Sequence, residues 1–380
     1  MPKWHPRLLR SLAVRTTTFS VLLSVAVLAV AVAAIAGSSA FKPPPFTVPP
    51  AGAFILKANP GPKMVDPFTK QAVVLPFWNA LPVPAGPVGD ASKTYTVCVS
   101  HSLFHPFPLS QKSSAALEAK RHPNVKLLYY NTNNDPLQQV RDLNQCLNRK
   151  VDGVLVYPHS VGPLTPEIEK LAKAGIPVVG MERTVATNKF LSWVYLDTQQ
   201  ELKLLTKGIC AAVHNQGKVV EMPGTLGSSP QITRHGYFVQ WMSRYCPKVQ
   251  LSSTPATDFG AGTGYSVGLS FLRSPASSGV GAIFVDSNGA GEGLVKAEEQ
   301  VGKKIPIFGI DADCKEIGLI QQGKIAGAVD HNPLHGDVAL RLLLMHLNGK
   351  TPPHYVLEEP TFLITKANAA NALPTCWGPK

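Results

Sequence analysis

The chain contains no run of basic residues, no second long apolar stretch and no acidic residue before Asp66. The first absence matters because 36 Lys and Arg against 24 Asp and Glu give a formal net charge of +12. Spread along the chain without a stripe, that charge reads as solvated surface and excludes a nucleic-acid partner, which would need clustered phosphate contacts. A single long apolar stretch excludes a polytopic membrane protein. Walker A, nucleophile-elbow and H-E-x-x-H patterns are also missing, and Gly260-Ala261-Gly262-Thr263-Gly264 and Gly289-Ala290-Gly291-Glu292-Gly293 lack the G-x-G-x-x-G spacing. Histidines at metal-binding spacing on one helix are absent too, so no enzyme, metal or cofactor is expected. What is present is a hydrophobic fraction of 44% in 380 residues. That is too apolar for wholesale disorder and too long for one compact core, so two domains are expected.

Where acids are missing, Lys3, Arg7, Arg10 and Arg15 precede an apolar run from Phe19 to about Ala36, followed by small residues through Ala40. This is the order of an export signal. The run is long for a cleaved signal and short for a membrane helix, so residues 1–40 read as a signal peptide or an N-terminal membrane anchor. Removing them takes the net charge from +12 to +8. Residues 41–92 then read as a proline-rich tether, packed in part through Phe77 and Trp78; 12 of the 34 prolines fall between Phe41 and Asp90.

From Tyr95 onward, short β-branched runs alternate with amphipathic segments of helical length. Strands are expected at Tyr95–Ser100, Val125–Asn131, Gly153–Tyr157, Pro177–Met181, Val194–Leu196, Lys218–Met222, Gln250–Thr254, Ala282–Asp286, Ile305–Ile310 and Gly327–Asp330. This α/β alternation predicts parallel sheets covered on both faces, and roughly ten such units fit two side-by-side lobes. In parallel sheets ligands sit at the carboxyl ends of strands. The loops there carry His101 to Phe107, Tyr157 to Ser160, Glu182-Arg183-Thr184, Gly224 to Arg234, Asp286-Ser287-Asn288 and Asp311-Ala312-Asp313. Aromatic faces, carboxylates, amides and arginines together suit a polyhydroxylated ligand: planar charged groups take adjacent hydroxyls, and ring faces pack on sugar C–H faces.

Several segments carry a specific resemblance: His105-Pro106-Phe107, Asn131-Thr132-Asn133-Asn134-Asp135, Val151 to Val156, Ala174 to Val179 followed by an acid–Arg pair, Ile307-Phe308-Gly309-Ile310-Asp311 and Gln322 to Gly327. From about Tyr95 to Thr365 the chain resembles the type I periplasmic binding proteins of sugar transporters, the ribose- and galactose-binding group. The resemblance implies two Rossmann-like lobes, residues 93–184 with 331–357 and residues 195–330 with 361–380. It joins them by three crossovers near residues 184–194, 330–333 and 357–360, and the lobes close on a ligand as a hinge.

Carried over by position, the resemblance assigns ligand contact to Phe107 with Phe104 nearby, to the acid–Arg pair Glu182-Arg183, and to Asp311. His105 stands where the family has Asn, Tyr157 where it has Asn near the third strand, Asn288 after Ser287 in place of Asn-Asp, and His331 in place of a hinge Gln. Arg234 lies one residue from the family's Arg. The pocket thus departs from ribose- or galactose-type recognition. Six cysteines in an exported chain are compatible with disulfides. Cys210 with Cys246 is the first expected pair, on two consecutive helices of the second lobe, and Cys314 with Cys376 the next, while Cys98 is expected as a buried free thiol. The resemblance implies a monomeric, non-enzymatic solute-binding protein delivering a sugar or sugar derivative to an ABC transporter permease. The alternative is a membrane-anchored ligand sensor of the same fold that signals to a receptor partner.

Overall fold

Seven parallel strands form the first sheet and six strands, five of them parallel, form the second. The computed structural model describes residues 41–49, 51–102, 105–359 and 361–378; the signal or anchor segment 1–40 and Phe104 lie outside them. The chain opens with strand β1 (Phe54–Lys57) and the hairpin of β2 (Lys63–Val65) and β3 (Ala72–Val74). There follow β4 (Tyr95–His101), α1 (Pro106–Ala119), β5 (Val125–Asn131), α2 (Pro136–Asn148), β6 (Gly153–Tyr157), α3 (Val161–Lys173), β7 (Val178–Met181) and β8 (Ser192–Leu196). The second half runs α4 (Thr198–Val213), β9 (Lys218–Met222), α5 (Ser229–Tyr245), β10 (Gln250–Ser253), α6 (Ala261–Arg273), β11 (Val280–Val285), α7 (Asn288–Val301), β12 (Ile307–Asp311), α8 (Cys314–Gln321) and β13 (Gly327–Asp330). It returns through α9 (Gly336–Leu347) and β14 (Tyr355–Glu359) before ending with β15 (Leu363–Thr365) and α10 (Ala369–Ala372).

The first sheet has the order β1-β14-β8-β7-β6-β4-β5 and the second β10-β9-β11-β12-β13-β15. Central strands are continuous apolar runs because helices cover both of their faces: all five residues of β6 and of β12 are buried. Helix starts are set by local chemistry. Asp135 caps α2 by accepting from the Leu137 N–H at 2.8 Å, with Pro136 at the first turn. The glycine-rich runs at 260–264 and 289–293 are a helix–helix contact: a Cβ on Gly293 would lie 2.2 Å from the Ala261 carbonyl oxygen. Their role is close approach of α6 and α7.

One reading is extended here and two are corrected. Residues 41–92, expected as a tether packed in part through Phe77 and Trp78, pack at both of these residues and well beyond them. β1 adds to the first sheet with Phe54 opposite Val356, and Leu56, Leu75, Phe77, Leu81, Val83 and Val88 are buried in the first lobe's core. Proline sets the backbone of this segment, but the apolar residues between the prolines decide that it packs. Its Trp78 ring lies under the Arg341 guanidinium at 4.5 Å. The first crossing between lobes lies at Asp197 and not at 184–194, because β8 hydrogen-bonds between β7 and β14 in the first sheet. Cys98 is not a free thiol: it pairs with Cys146 of α2, the Cα atoms 6.2 Å apart. Both are fully buried, since Cys98 in β4 points to the sheet face that α2 covers.

Cys210–Cys246 joins α4 to the end of α5, and Cys314–Cys376 ties the C-terminal tail to the start of α8. The chain passes between sheets again after β13 and after β14. The lobes are apposed, with the Val161 N–H donating to the Gly227 carbonyl at 2.9 Å and the Thr184 N–H to Ser229 Oγ at 3.0 Å. Among the described residues no helix is long and apolar enough to cross a membrane.

Candidate functional site

Strand ends from both lobes converge on a narrow cavity of about 10 Å³ lined by His105, Phe107, Tyr157, Glu182, Arg183, Pro230, Arg234, Phe259, Ser287 and Asp311. That is room for roughly one water molecule, so a larger ligand enters only if the lobes part.

The first lobe supplies a polar rim on aromatic walls. His105 caps α1: its Nδ1 accepts from the Phe107 N–H at 3.3 Å, which leaves the proton on Nε2. That Nε2 is buried without a partner. Burial first, and then the Arg183 charge, hold the imidazole neutral, its pKa lowered to about 3. The site therefore presents a neutral N–H donor. Arg183, fully buried, lies over the Tyr157 ring at 4.3 Å and the Phe259 ring at 5.0 Å. Its Nη1 donates to the His159 carbonyl at 3.1 Å, while its Nε is unpartnered.

Arg234, one turn into α5, anchors the second lobe's side. Its Nη1 donates to the Asp286 carbonyl at 2.5 Å, and its Nη2 lies 3.7 Å from Asp311 Oδ1 and 3.9 Å from Glu182 Oε1. One guanidinium thus faces carboxylates from both lobes. Burial pushes the Asp311 carboxyl up to about 6 against the opposing pull of Arg234 and His331. Asp286 is pushed up to about 7, again by burial. At Glu182 burial raises the pKa, but the hydrogen bond and charge of His331 outweigh it and the net shift is downward.

His331 sits between β13 and α9, in the second passage between lobes. It stacks on Phe107 with centroids 5.4 Å apart, and its Nδ1 lies 2.6 Å from Glu201 Oε1. Burial opposes its charge, yet Glu201 and Glu182 hold it protonated up to about 10. Three cations (Arg183, Arg234, His331) thus face four carboxyl groups (Glu182, Glu201, Asp286, Asp311), with no surplus positive charge to attract an anion.

Backbone strain marks the same place. Glu182, Phe259 and Asp311 have φ of 57°, 60° and 102°, a region that non-glycine residues enter at a cost and that clusters at functional sites.

Of the residues expected from sequence, seven line the cavity: His105, Phe107, Tyr157, Glu182, Arg183, Arg234 and Asp311. His331 stands behind Phe107 and lines a neighbouring hinge cavity that Thr47–Pro49 also line. Asn288 is not on the wall; its backbone N–H donates to Asp311 Oδ2 at 3.3 Å, and Ser287 lines the cavity instead. Ser287 and Pro230 lie in loops named from the sequence but were not singled out, and Phe259 was missed. Phe259 follows β10, so the strand-end rule had a signal for it, masked by the glycines beside it.

Residues 99–351 match the model of the periplasmic binding protein domain family, more than half of the chain. The chain belongs to this family. A ribose import binding protein of Bacillus subtilis is 25% identical over 260 residues, spanning 68% of this chain and 83% of its own. An ABC transporter solute-binding protein from Bacillus halodurans, solved with bound myo-inositol, superposes with a TM-score of 0.69 at 21% identity, covering 75% of this chain and 99% of that one. A protein from Mycobacterium smegmatis in complex with β-D-fucofuranose gives a TM-score of 0.68 at 23% identity, over 74% and 94% of the two chains. The two lobes therefore form a type I periplasmic binding protein fold, and the cavity of this periplasmic binding protein lies between them.

Proposed function

We propose that the protein captures a sugar or sugar derivative between its lobes outside the cytoplasm and presents it to an ABC importer permease. The observation that carries this reading is the set of buried polar atoms without hydrogen-bond partners around one interlobe cavity: His105 Nε2, Arg234 Nε, and Glu182 Oε2 and Arg183 Nε, which face each other at 3.8 Å. Buried polar groups are almost always paired, so donors and an acceptor left open together call for a ligand bearing several hydroxyls. A hydroxyl can donate to Glu182 while its neighbours accept from Arg183, Arg234 and His105. The flanking faces of Phe107, Tyr157 and Phe259 take the C–H side of the ring. The names of the relatives, a ribose importer component and proteins solved with myo-inositol or fucofuranose, support the same class.

Binding and hinge closure suffice for this role, and it requires no covalent step. Export through residues 1–40 accords with all six cysteines being paired, as an oxidising compartment favours. The protein acts as a monomer whose ligand sites for binding are His105, Phe107, Tyr157, Glu182, Arg183, Arg234 and Asp311. A thermal-shift screen of pentoses, hexoses, polyols, inositols and sugar acids tests the assignment. A true ligand at about 100 times its Kd should add roughly 2.7 kcal/mol of stability. Stabilisation by amino acids or other solutes and by no sugar would overturn it.

A further inference from the structure

The last described residues of the chain belong to neither lobe alone. Cys376 is bonded to Cys314 at the start of α8 and packs against the core of the second lobe. Trp377, the next residue, packs into the core of the first lobe and is 2% exposed. Its ring meets Phe107 edge-on, centroids 5.6 Å apart and planes at 88°. Two hydrogen bonds hold the same residue to the second lobe: its Nε1 donates to the Asp311 carbonyl at 3.0 Å, and the Cys314 N–H donates to its carbonyl at 2.9 Å.

We propose that Trp377 is an interlobe clasp: anchored to the second lobe by the Cys314–Cys376 disulfide, its indole fills a socket beside Phe107 in the first lobe and holds the lobes towards closure. Opening carries the socket away with the first lobe while the disulfide keeps Cys376 with the second. The indole, a side chain of roughly 150–250 Å² of buried surface, must then leave its socket for water. Trp377 also sets the cavity itself, as a positioning residue, because it bears on Phe107 through its ring and on Asp311 through its N–H. The disulfide is part of the device. Once it is reduced the tail can stay in the first lobe as the second swings away, so the bias to closure needs the oxidised bond.

The main test needs no ligand. Leu137 and Leu226, 61% and 64% exposed, follow strand ends of the first and second lobe respectively. Spin labels at Leu137→Cys and Leu226→Cys report the interlobe distance by double electron–electron resonance on the full chain. Trp377→Ala and the pair Cys314→Ser/Cys376→Ser should move the distribution to longer distances, and Trp377→Phe, which keeps a ring in the socket, should restore most of the short one. Superimposable distributions across these variants would overturn the clasp. Should Trp377→Ala fail to fold, as circular dichroism would show, the disulfide pair and Trp377→Phe carry the same comparison.

A second arm rests on the sugar-binding reading and uses D-ribose and myo-inositol as probes. Trp377→Ala should raise the dissociation rate of whichever binds by about tenfold or more, since affinity differences within one site lie mostly in that rate. An unchanged rate would contradict the clasp's hold on the closed state. Failure of both probes to bind the unaltered protein counts against the sugar reading and leaves the distance measurement to decide the clasp.

Discussion

Gly224→Ala tests the geometry of the cavity wall. Gly224 follows β9, and its N–H donates to Asp286 Oδ2 at 2.9 Å. A Cβ placed there would lie 1.9 Å from Cε1 and 2.2 Å from Cζ of Phe259. The ring cannot slide back along its backbone, because Phe259 is held at φ 60° and its carbonyl accepts from Ser287 Oγ at 3.1 Å. It must rotate out from beneath Arg183 and Arg234. Overpacking of this kind costs about 1–3 kcal/mol, and the displaced ring also removes one wall of the cavity. In a Phe259→Ala background the obstacle is gone, so Gly224→Ala should then cost close to nothing. The two substitutions should therefore be non-additive by about 1–3 kcal/mol. Urea unfolding of the four proteins, read as midpoints at constant slope, measures this directly. Equal costs of Gly224→Ala in both backgrounds would refute the packing argument.

Three further expectations follow from the electrostatics and the cross-links. A ligand hydroxyl that donates to Asp311 prefers the ionised carboxylate, and Asp311 titrates at about 6. Affinity should therefore tighten between pH 5 and pH 7, and a flat calorimetric profile there would exclude Asp311 as an acceptor. His331 has its folded pKa raised from 6.5 to about 10. Its contribution to stability is fully present below about 6.5 and is lost as pH rises through about 10. The stability gap between the protein and His331→Gln should accordingly narrow over that window, and a constant gap would contradict the Glu201 pairing. Alkylation of the unfolded, unreduced protein should label no cysteine. Cys98→Ser/Cys146→Ser should cost about 2–4 kcal/mol, and a labelled Cys98 would contradict its bond to Cys146.

The alternation of strands and helices was legible because strands covered on both faces must be apolar along their whole length, as β6 and β12 are. Most of the cavity was legible for a related reason, since the fold brings strand-end loops together and Glu182, Arg183 and Asp311 stand in such loops. What escaped depends on contacts far along the chain. β1 is a strand only because β14 offers an open edge beside it, and nothing in Phe54–Lys57 among its prolines announces that partner. Cys98 and Cys146 are 48 residues apart in sequence, and only the seating of α2 on β4 brings them together. Phe259 stood beside glycines whose role proved to be helix packing. Trp377 lies beyond the last segment that resembles the family, and its place in the site depends on a disulfide fixing the tail. The positive φ of Glu182 and Asp311 could not be read either, because the side chain needed for the site occupies a backbone position that local preference gives to glycine.

The central claim is that a sugar binds in the interlobe cavity through the buried polar groups that line it, Asp311 among them. Calorimetric titration of the best sugar from the thermal-shift screen, with the protein and with Asp311→Ala, tests it most directly. The account predicts one site per chain in the protein and loss of binding in the variant, with its far-ultraviolet circular dichroism unchanged. Undiminished affinity in a folded Asp311→Ala protein would place the ligand elsewhere and contradict the account.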